Sequence, residues 1–160
     1  MEMIATDAAQ TRAVGERLAA CARAGAVLWL RGDLGAGKTE LTKGMAAGLR
    51  CADPVSSPSF ALIHEYTGGR LPLYHIDLYR LEGSAAEELG VEDYLEGDGV
   101  TVIEWGERLP PDYFPDGIEI LLEYRGESDE RSLTITPRGK CGAEWMEVAW
   151  GGEYPSADAA

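Results

Sequence analysis

Apolar residues recur along this chain with two different spacings, which separate predicted helices from predicted strands. In residues 8–24 and 38–49 they recur every three or four positions with charged residues between them, which predicts two amphipathic helices. Gly25 follows the first segment and is expected to end it. Apolar runs at 26–30 and 100–103 are typical of strands buried on both faces. The other predicted strands are residues 60–66, 71–77, 118–124 and 132–137.

Turn residues and short helical signals account for the segments between these elements. Residues 67–70 predict a hairpin turn between two strands. Ser84 with Glu87 forms a capping box that opens a short helix toward Leu89. A short helix near residues 143–148 is also expected, so helices and strands extend over most of the chain.

Residues 32–39 carry the most specific chemical signal, because they match the pattern G-x-x-x-x-G-K-[ST] at every fixed position. Glycines let the backbone approach a phosphate without a Cβ in the way, and the N–H groups that open the next helix point at the anion. Lys38 supplies positive charge to the β- and γ-phosphates, and the Thr39 hydroxyl suits Mg²⁺, which prefers oxygen ligands. The segment therefore predicts a P-loop that binds Mg·ATP. The residues expected to contact the nucleotide here are Gly35, Ala36, Gly37, Lys38 and Thr39.

The order strand, glycine-rich turn, helix and further strands predicts the fold class. It indicates an α/β, P-loop NTPase-like fold with a mixed, largely parallel sheet and flanking helices. A chain of 160 residues is long enough for one such domain and too short for two ordinary ones. We expect a single P-loop ATPase domain over residues 1–150, followed by a small polar tail, 151–160, that is disordered.

Two acidic residues follow apolar strands and are candidates for the group that holds magnesium and orders water. Glu104 follows residues 100–103, where a Walker-B acid falls, and Asp77 follows residues 73–76. In open α/β sheets ligands bind beyond the carboxyl ends of the strands, so both acids are expected at the site. With Lys38 they form the predicted catalytic set of a Mg²⁺-dependent ATPase.

The segment 56–60 joins the P-loop helix to the next strand and is rich in serine and proline. In P-loop proteins this connection often carries a hydroxyl to the γ-phosphate and magnesium and orders as a switch. Serine and proline are also ordinary turn residues, and the segment by itself favours a simple turn. Ser57 and Ser59 are candidate phosphate contacts with both interpretations open. His75 is expected to be a hydrogen-bonded structural residue, because a P-loop site needs no histidine base.

Charge and composition restrict the partners and the location of the protein. The net charge is −14, with 28 acidic against 14 basic residues, which disfavours direct high-affinity contact with nucleic acid. Residues 81–107 hold acidic but no basic residues and form either a solvated face or a docking surface for a basic partner. The sequence has no apolar run long enough to cross a membrane and does not begin as a secretion signal, so a cytoplasmic location is expected. Cys21, Cys51 and Cys141 have no metal-site or disulfide spacing.

Several segments together resemble the TsaE (YjeE) family of bacterial P-loop ATPases, which are required for the threonylcarbamoyladenosine modification of tRNA. Their order and spacing are similar to the family's pattern over about residues 5–135. The combination of His75-x-Asp77-x-Tyr79-Arg80 with Glu104-Trp105 is more specific to the family than the P-loop alone. The segments that carry the resemblance are residues 32–39, 57–60, 74–81, 88–90 and 102–105.

The resemblance implies roles for individual residues. Thr39 and Glu104 would bind Mg²⁺, Asp77 would lie near the γ-phosphate, and residues 57–60 would be the switch. Glu40 stands where a second hydroxyl is usual in the family, and Ser59 where threonine is common. An acidic residue such as Glu40 suits a helix N-terminus. Because it replaces the hydroxyl, a contact from this position to the α-phosphate is in doubt. Glu40 is nevertheless counted among the predicted nucleotide-binding residues, because it directly follows Thr39. Further residues that the resemblance places near the nucleotide are Asp7, Trp105, Glu107 and Arg131.

The family resemblance also implies a partner. By this resemblance the chain would be an accessory ATPase that binds the TsaB–TsaD protein complex and supports its turnover. That complex carries out the threonylcarbamoyl transfer. Three other functions remain open at this point: a small-molecule P-loop kinase, a GTP-dependent switch and a non-catalytic nucleotide-binding module. The kinase is disfavoured by sparse basic residues. The GTP-dependent switch is disfavoured because the chain contains no asparagine for an Asn-Lys-x-Asp guanine motif.

Overall fold

The computed structural model describes residues 1–56, 62–81, 85–110, 113 and 116–151 of the chain. Ser57, Ser59, Ser84 and the predicted tail beyond residue 151 lie outside the described residues. The helices are α1 (Ala8–Cys21), α2 (Lys38–Leu49), α3 (Val91–Leu95) and α4 (Gly139–Trp150). The strands are β1 (Glu2–Ala5), β2 (Val27–Arg31), β3 (Ile63–Tyr66), β4 (Leu73–Asp77), β5 (Val100–Glu104), β6 (Gly117–Tyr124) and β7 (Arg131–Arg138). Two 3₁₀ turns occupy Glu87–Leu89 and Gly106–Arg108.

The strands form one mixed sheet in the order β1-β7-β6-β2-β5-β4-β3. The four central strands β6, β2, β5 and β4 are parallel to one another, and antiparallel pairs lie at both edges. Parallel strands bring their carboxyl ends to one edge of the sheet, where ligands bind in α/β folds. The predicted α/β fold with flanking helices is therefore confirmed.

Two apolar clusters lie on opposite faces of the sheet. Helices α1, α2 and α4 contribute to the larger cluster, and buried residues such as Leu18, Met45 and Val102 belong to it. The smaller cluster joins Ile76 and Ile103 to Val91 of α3. Val102 and Ile103 fall in different clusters because successive side chains of a strand point to opposite faces. Both faces of β4 and β5 are thus covered, as their apolar sequences predict.

The structure differs from the sequence prediction at the end of α1. The helix ends at Cys21 with Ala22 as its C-cap, not at Gly25. The Arg70 side chain donates to the carbonyl oxygens of Ala19 and Ala22, at 2.5 and 2.9 Å. Because this cap comes from a residue about fifty positions away, the local sequence did not predict where the helix ends.

Other elements were missed or misjudged in length. β1 has only four residues and was not predicted, nor was α3 after the turn at Glu87–Leu89. The last helix is longer than the predicted 143–148, since it begins at Gly139 and buries Trp145 and Trp150. In the described part of the chain, no helix is both long and apolar enough to cross a membrane.

Candidate nucleotide-binding site

The glycine-rich loop joins the end of β2 to the start of α2 and has the backbone that the sequence predicts. Gly32, Gly35 and Gly37 have φ values of +143°, +79° and +108°. A Cβ on Gly32 would lie 2.4 Å from the Leu122 carbonyl oxygen, so this position tolerates only glycine. The N-cap of α2 is Gly37, which has no side chain to cap the helix. The first N–H groups of α2 point out of its N-terminus, as in helices that bind an anion.

Lys38 is folded back onto this loop. Its side chain is buried, and its ammonium donates to the Gly32 carbonyl oxygen and lies 3.5 Å from that of Asp33. The same nitrogen lies 4.4 Å from the centroid of the Trp105 ring, within the range of a cation–π contact. Trp105, which the family resemblance places near the nucleotide, thus contacts the P-loop lysine. Its backbone is left-handed, with φ +60°, which is uncommon for a bulky residue.

Asp77 and Glu104 lie side by side at the carboxyl edge of the sheet. They are register partners in the parallel pair β4–β5, and they are 7% and 3% exposed. One Asp77 oxygen accepts a hydrogen bond from the Tyr79 N–H at 2.9 Å. Burial raises the pKa of Asp77, and the nearby Glu104 adds to that effect. Each acid ends a strand, as its position after an apolar run predicts, and the pairing of β4 with β5 makes the two neighbours.

The Glu104 carboxylate is buried, and no lysine or arginine in the described part of the chain pairs with it. Its Oε1 lies 3.4 Å from Nε2 of the fully buried His75. This contact lacks hydrogen-bond geometry, and neither ring nitrogen of His75 nor Oε1 has a hydrogen-bond partner among the described residues. His75 is therefore buried as expected, but it does not show the hydrogen bonds that were predicted for it.

These oxygens fit a hard divalent cation. Glu104 is a buried carboxylate with an orphaned oxygen, and the residue after it, Trp105, contacts the P-loop lysine. Carboxylate and hydroxyl oxygens, such as those of Glu104 and Thr39, are the ligands that Mg²⁺ prefers. Across the described ranges, no group of three or more His, Cys, Asp or Glu residues could hold a metal. Mg²⁺ in nucleotide sites usually takes one or two protein oxygens and completes its shell with phosphates and water.

The predicted contact Glu40 is engaged elsewhere. Its carboxylate pairs with Arg12 of α1 at 2.5 Å and with Lys43 at 2.9 Å. The hydrogen bond from Lys43 is the main cause that lowers the pKa of Glu40, and the bond from Arg12 acts in the same direction. Glu40 therefore joins α1 to α2 through charge.

Asp7 caps the helix α1, whose first turn lies against the P-loop. Its Oδ1 accepts a hydrogen bond from the Gln10 N–H at 2.9 Å, and it is the N-cap of α1. One turn later, Thr11 approaches the loop so closely that a Cβ on Gly37 would lie 3.7 Å from its methyl group. The first turn of α1 thus adjoins the P-loop.

Tyr124 at the end of β6 connects Arg131 to the P-loop and was not found from the sequence. Its hydroxyl donates to the Leu34 carbonyl oxygen at 2.7 Å. The Arg131 guanidinium carbon lies 4.3 Å from the centroid of the Tyr124 ring. A tyrosine that ends a strand carries no local signal of such a contact, because the contact spans 90 positions of sequence.

Glu107 is exposed in the turn Gly106–Arg108, just after Trp105. It lines a cleft of about 360 Å³ on the side of the sheet where Trp29, Arg31, Glu119 and Arg138 lie. The site thus brings together the loop, Lys38, Asp77, Glu104 and Trp105. Asp7 and Arg131 lie at its border on the side of α1 and β7.

Comparison with known proteins gives one consistent family. The family model described as "Threonylcarbamoyl adenosine biosynthesis protein TsaE" matches residues 5–133. The chain is similar to two proteins named tRNA threonylcarbamoyladenosine biosynthesis protein TsaE. One, from Bacillus subtilis, is 44% identical and covers 81% of each chain, and one from Nostoc is 47% identical and covers 82% of each. The crystal structure of Bacillus subtilis YdiB superposes with a TM-score of 0.76 at 37% identity, over 93% of each chain.

Proposed function

This chain belongs to the TsaE family of tRNA threonylcarbamoyladenosine biosynthesis proteins, and from that premise we propose that it is the Mg²⁺-dependent ATPase of that pathway. The observation that carries the proposal is the buried pair Asp77 and Glu104, set in register beside a complete P-loop. Burying two carboxylates without cationic partners is unfavourable unless a bound group compensates. A nucleotide with its metal is such a group.

The loop and α2 perform the binding step in this proposal. The N–H groups of residues 35–39 surround the β- and γ-phosphates, aided by the positive end of the α2 dipole. Lys38 leaves the Gly32 carbonyl oxygen and transfers its donors to the phosphates, which are stronger acceptors because they are charged. Trp105 stays in contact with the lysine stem and excludes water from one side of the site.

Thr39 and Glu104 would hold Mg²⁺, which when bound neutralises charge on the phosphates. Asp77 would orient the attacking water, a role supported by the Tyr79 N–H, which holds one of its carboxylate oxygens. Its raised pKa makes that carboxylate a better proton acceptor than an exposed aspartate. The bond that breaks joins the γ-phosphorus to the β–γ bridging oxygen, and the products are ADP and phosphate.

We further propose that hydrolysis is slow in the isolated chain and faster on the TsaB–TsaD complex. Arg80, three residues after Asp77 on an exposed turn, is the best internal candidate for a cation at the γ-phosphate. An arginine supplied by a partner can accelerate P-loop hydrolysis by about 10³–10⁵. A chain with net charge −14 acts on protein partners and leaves tRNA contact to them.

Phosphate release from ATP by the purified chain tests this function, with and without Mg²⁺ and with and without TsaB–TsaD. We expect Mg²⁺-dependent release that the complex stimulates, and none above background with Lys38→Ala. Lys140→Ala is a matched control, because Lys140 is exposed in the first turn of α4, whose Gly142 contacts Gly117 at the end of β6 opposite the carboxyl edge of the sheet. Equal release with and without the complex would contradict the partner role. Transfer of the γ-phosphate to a small molecule would show a kinase instead.

A further inference from the structure

His75 is a fully buried residue of the site to which the mechanism above assigns no task. It lies on β4, two residues before Asp77, so both side chains are on the same face of the sheet. Its strand neighbours are His64 of β3 and Val102 of β5. A ring enclosed on a strand with neighbours on both sides has few alternative orientations, and this ring places Nε2 3.4 Å from Oε1 of Glu104.

The missing hydrogen bonds of His75 need an explanation. Buried polar atoms are nearly always hydrogen-bonded, and each exception points to strain, function or an absent group. Within the described segments both ring nitrogens of His75 and Oε1 of Glu104 are such exceptions, and two of them, Nε2 and Oε1, lie 3.4 Å apart. An imidazole N–H and a carboxylate oxygen are complementary, so a small rotation of either group would satisfy two of these atoms together.

A cation bound to Glu104 would favour that rotation, because it would fix the orientation of the carboxylate. A carboxylate that gives one oxygen to a metal is usually held at its other oxygen by a hydrogen bond, and such partners set the ligand's orientation. The alternative that His75 is itself a ligand fits less well, because Mg²⁺ prefers oxygen and the Glu104 carboxylate already lies against Nε2.

We propose that His75 is the positioning residue for Glu104: its Nε2–H donates to Oε1 and leaves Oε2 directed at the Mg²⁺ of the bound nucleotide. This inference rests on the proposed function. It assigns His75 no proton transfer and no contact with the substrate.

Titration of Mg²⁺ tests the proposal without using catalysis. The protein is saturated with a fluorescent, non-hydrolysable ATP analogue, and the Mg²⁺ dependence of the signal is compared for the parent, His75→Leu and His75→Gln. We expect about tenfold weaker Mg²⁺ binding in His75→Leu, the lower end of the effect of removing such a partner. His75→Gln keeps an N–H donor near the position of Nε2, so it should recover most of this loss. Affinity for the analogue in EDTA should be the same for all three.

Each other result counts against the proposal. Parent-like Mg²⁺ binding by His75→Leu would overturn it, and so would equal loss in His75→Gln, because the donor would then be irrelevant. If His75→Leu lost analogue affinity in EDTA as strongly as it lost Mg²⁺ binding, the role of His75 would be purely structural. If the parent itself shows no Mg²⁺ dependence, the proposed function fails and the inference fails with it. Parent-like behaviour of His75→Leu beside a Mg²⁺-dependent parent overturns the inference alone.

Nitrogen-15 NMR of the parent chain gives a second test that requires no variant. The chain has two histidines, so the ring signals are few, and His64→Gln identifies those of His64. With the analogue and Mg²⁺ bound, we expect the His75 proton on Nε2. A spectrum with the proton on Nδ1 and an unprotonated Nε2 would overturn the proposal.

Discussion

Two buried carboxylates on this sheet differ in what surrounds them. Glu119 of β6 is 9% exposed and accepts hydrogen bonds from Arg31 of β2, at 3.1 Å, and from Arg138 Nε of β7, at 2.7 Å. Glu104 of β5 is 3% exposed, and no lysine or arginine among the described residues lies within ion-pair distance of it. The first carboxylate has its counter-charges within the fold, and the second does not.

In our proposal this difference separates a structural acid, Glu119, from a functional one, Glu104. A buried charge is tolerated when it is paired and hydrogen-bonded, as Glu119 is by residues of its two neighbouring strands. Glu104 lacks such pairing although it lies next to the P-loop, where a phosphate-bound cation would sit in our proposal. The residue types are identical, so only the surroundings distinguish the two roles.

The largest expected effect comes from Glu104→Gln. This change keeps the shape of the side chain but removes the charge that would hold the metal, so Mg²⁺-dependent hydrolysis should fall by about 100-fold or more. Nucleotide affinity in EDTA should be unchanged. Measurement of single-turnover phosphate release checks the first expectation, and normal turnover would show that the metal assignment is wrong.

A smaller effect, on nucleotide binding, is expected from Tyr124→Phe, because Tyr124 contacts the P-loop through a single hydrogen bond. Tyr124→Phe removes the hydrogen bond to the Leu34 carbonyl oxygen but keeps the ring against Arg131. We expect about fivefold weaker nucleotide binding with an unchanged kcat, since one such bond is worth about 1 kcal/mol. Tyr74→Phe is the matched control, because its hydroxyl bonds Asp98 and its ring packs on Tyr94 of the smaller apolar cluster, on the opposite face of the sheet from α2. Equal losses in the two variants would contradict a role for Tyr124 at the loop.

The same reasoning predicts that Asp77→Asn stabilises the apo protein while it impairs hydrolysis. Burial raises the pKa of Asp77 in the folded state, so folding favours the protonated form, and stability is lost as the pH rises from the unfolded-state pKa through the raised one. Asparagine avoids this loss. Thermal melts should therefore show a higher Tm for the variant at pH 7 and a difference that shrinks at acidic pH. A lower Tm at pH 7 would show that the charge is compensated in the fold.

The smallest effect on activity is expected at Glu119. Glu119→Gln leaves Arg31 and Arg138, each about half exposed, without their carboxylate. We expect a loss of about 1 kcal/mol, or roughly 2–4 °C in Tm for a domain of this size, with hydrolysis unchanged. Loss of hydrolysis comparable to that in Glu104→Gln would remove the distinction between the two acids.

Features encoded by adjacent residues could be predicted from the sequence. The P-loop is contiguous, and Asp77 and Glu104 each follow their own apolar run, so their positions at strand ends were predictable. That the two acids are neighbours depends on the strand order, which places β4 beside β5.

Features that depend on distant pairings could not be predicted. β1 is stabilised by β7, more than 120 positions later, and the end of α1 is set by Arg70. The contact of Tyr124 with Leu34 is of the same kind. In each case the local residues permit several structures, and a partner far along the chain selects one of them.

A crystal structure with a non-hydrolysable ATP analogue and Mn²⁺ in place of Mg²⁺ tests the central claim most directly, because anomalous scattering locates the metal. We predict one peak bonded to a Glu104 oxygen, the Thr39 hydroxyl and the β- and γ-phosphates, with Glu119 still between its two arginines. A metal bound elsewhere, or a Glu104 carboxylate turned away from an occupied P-loop, would contradict the account.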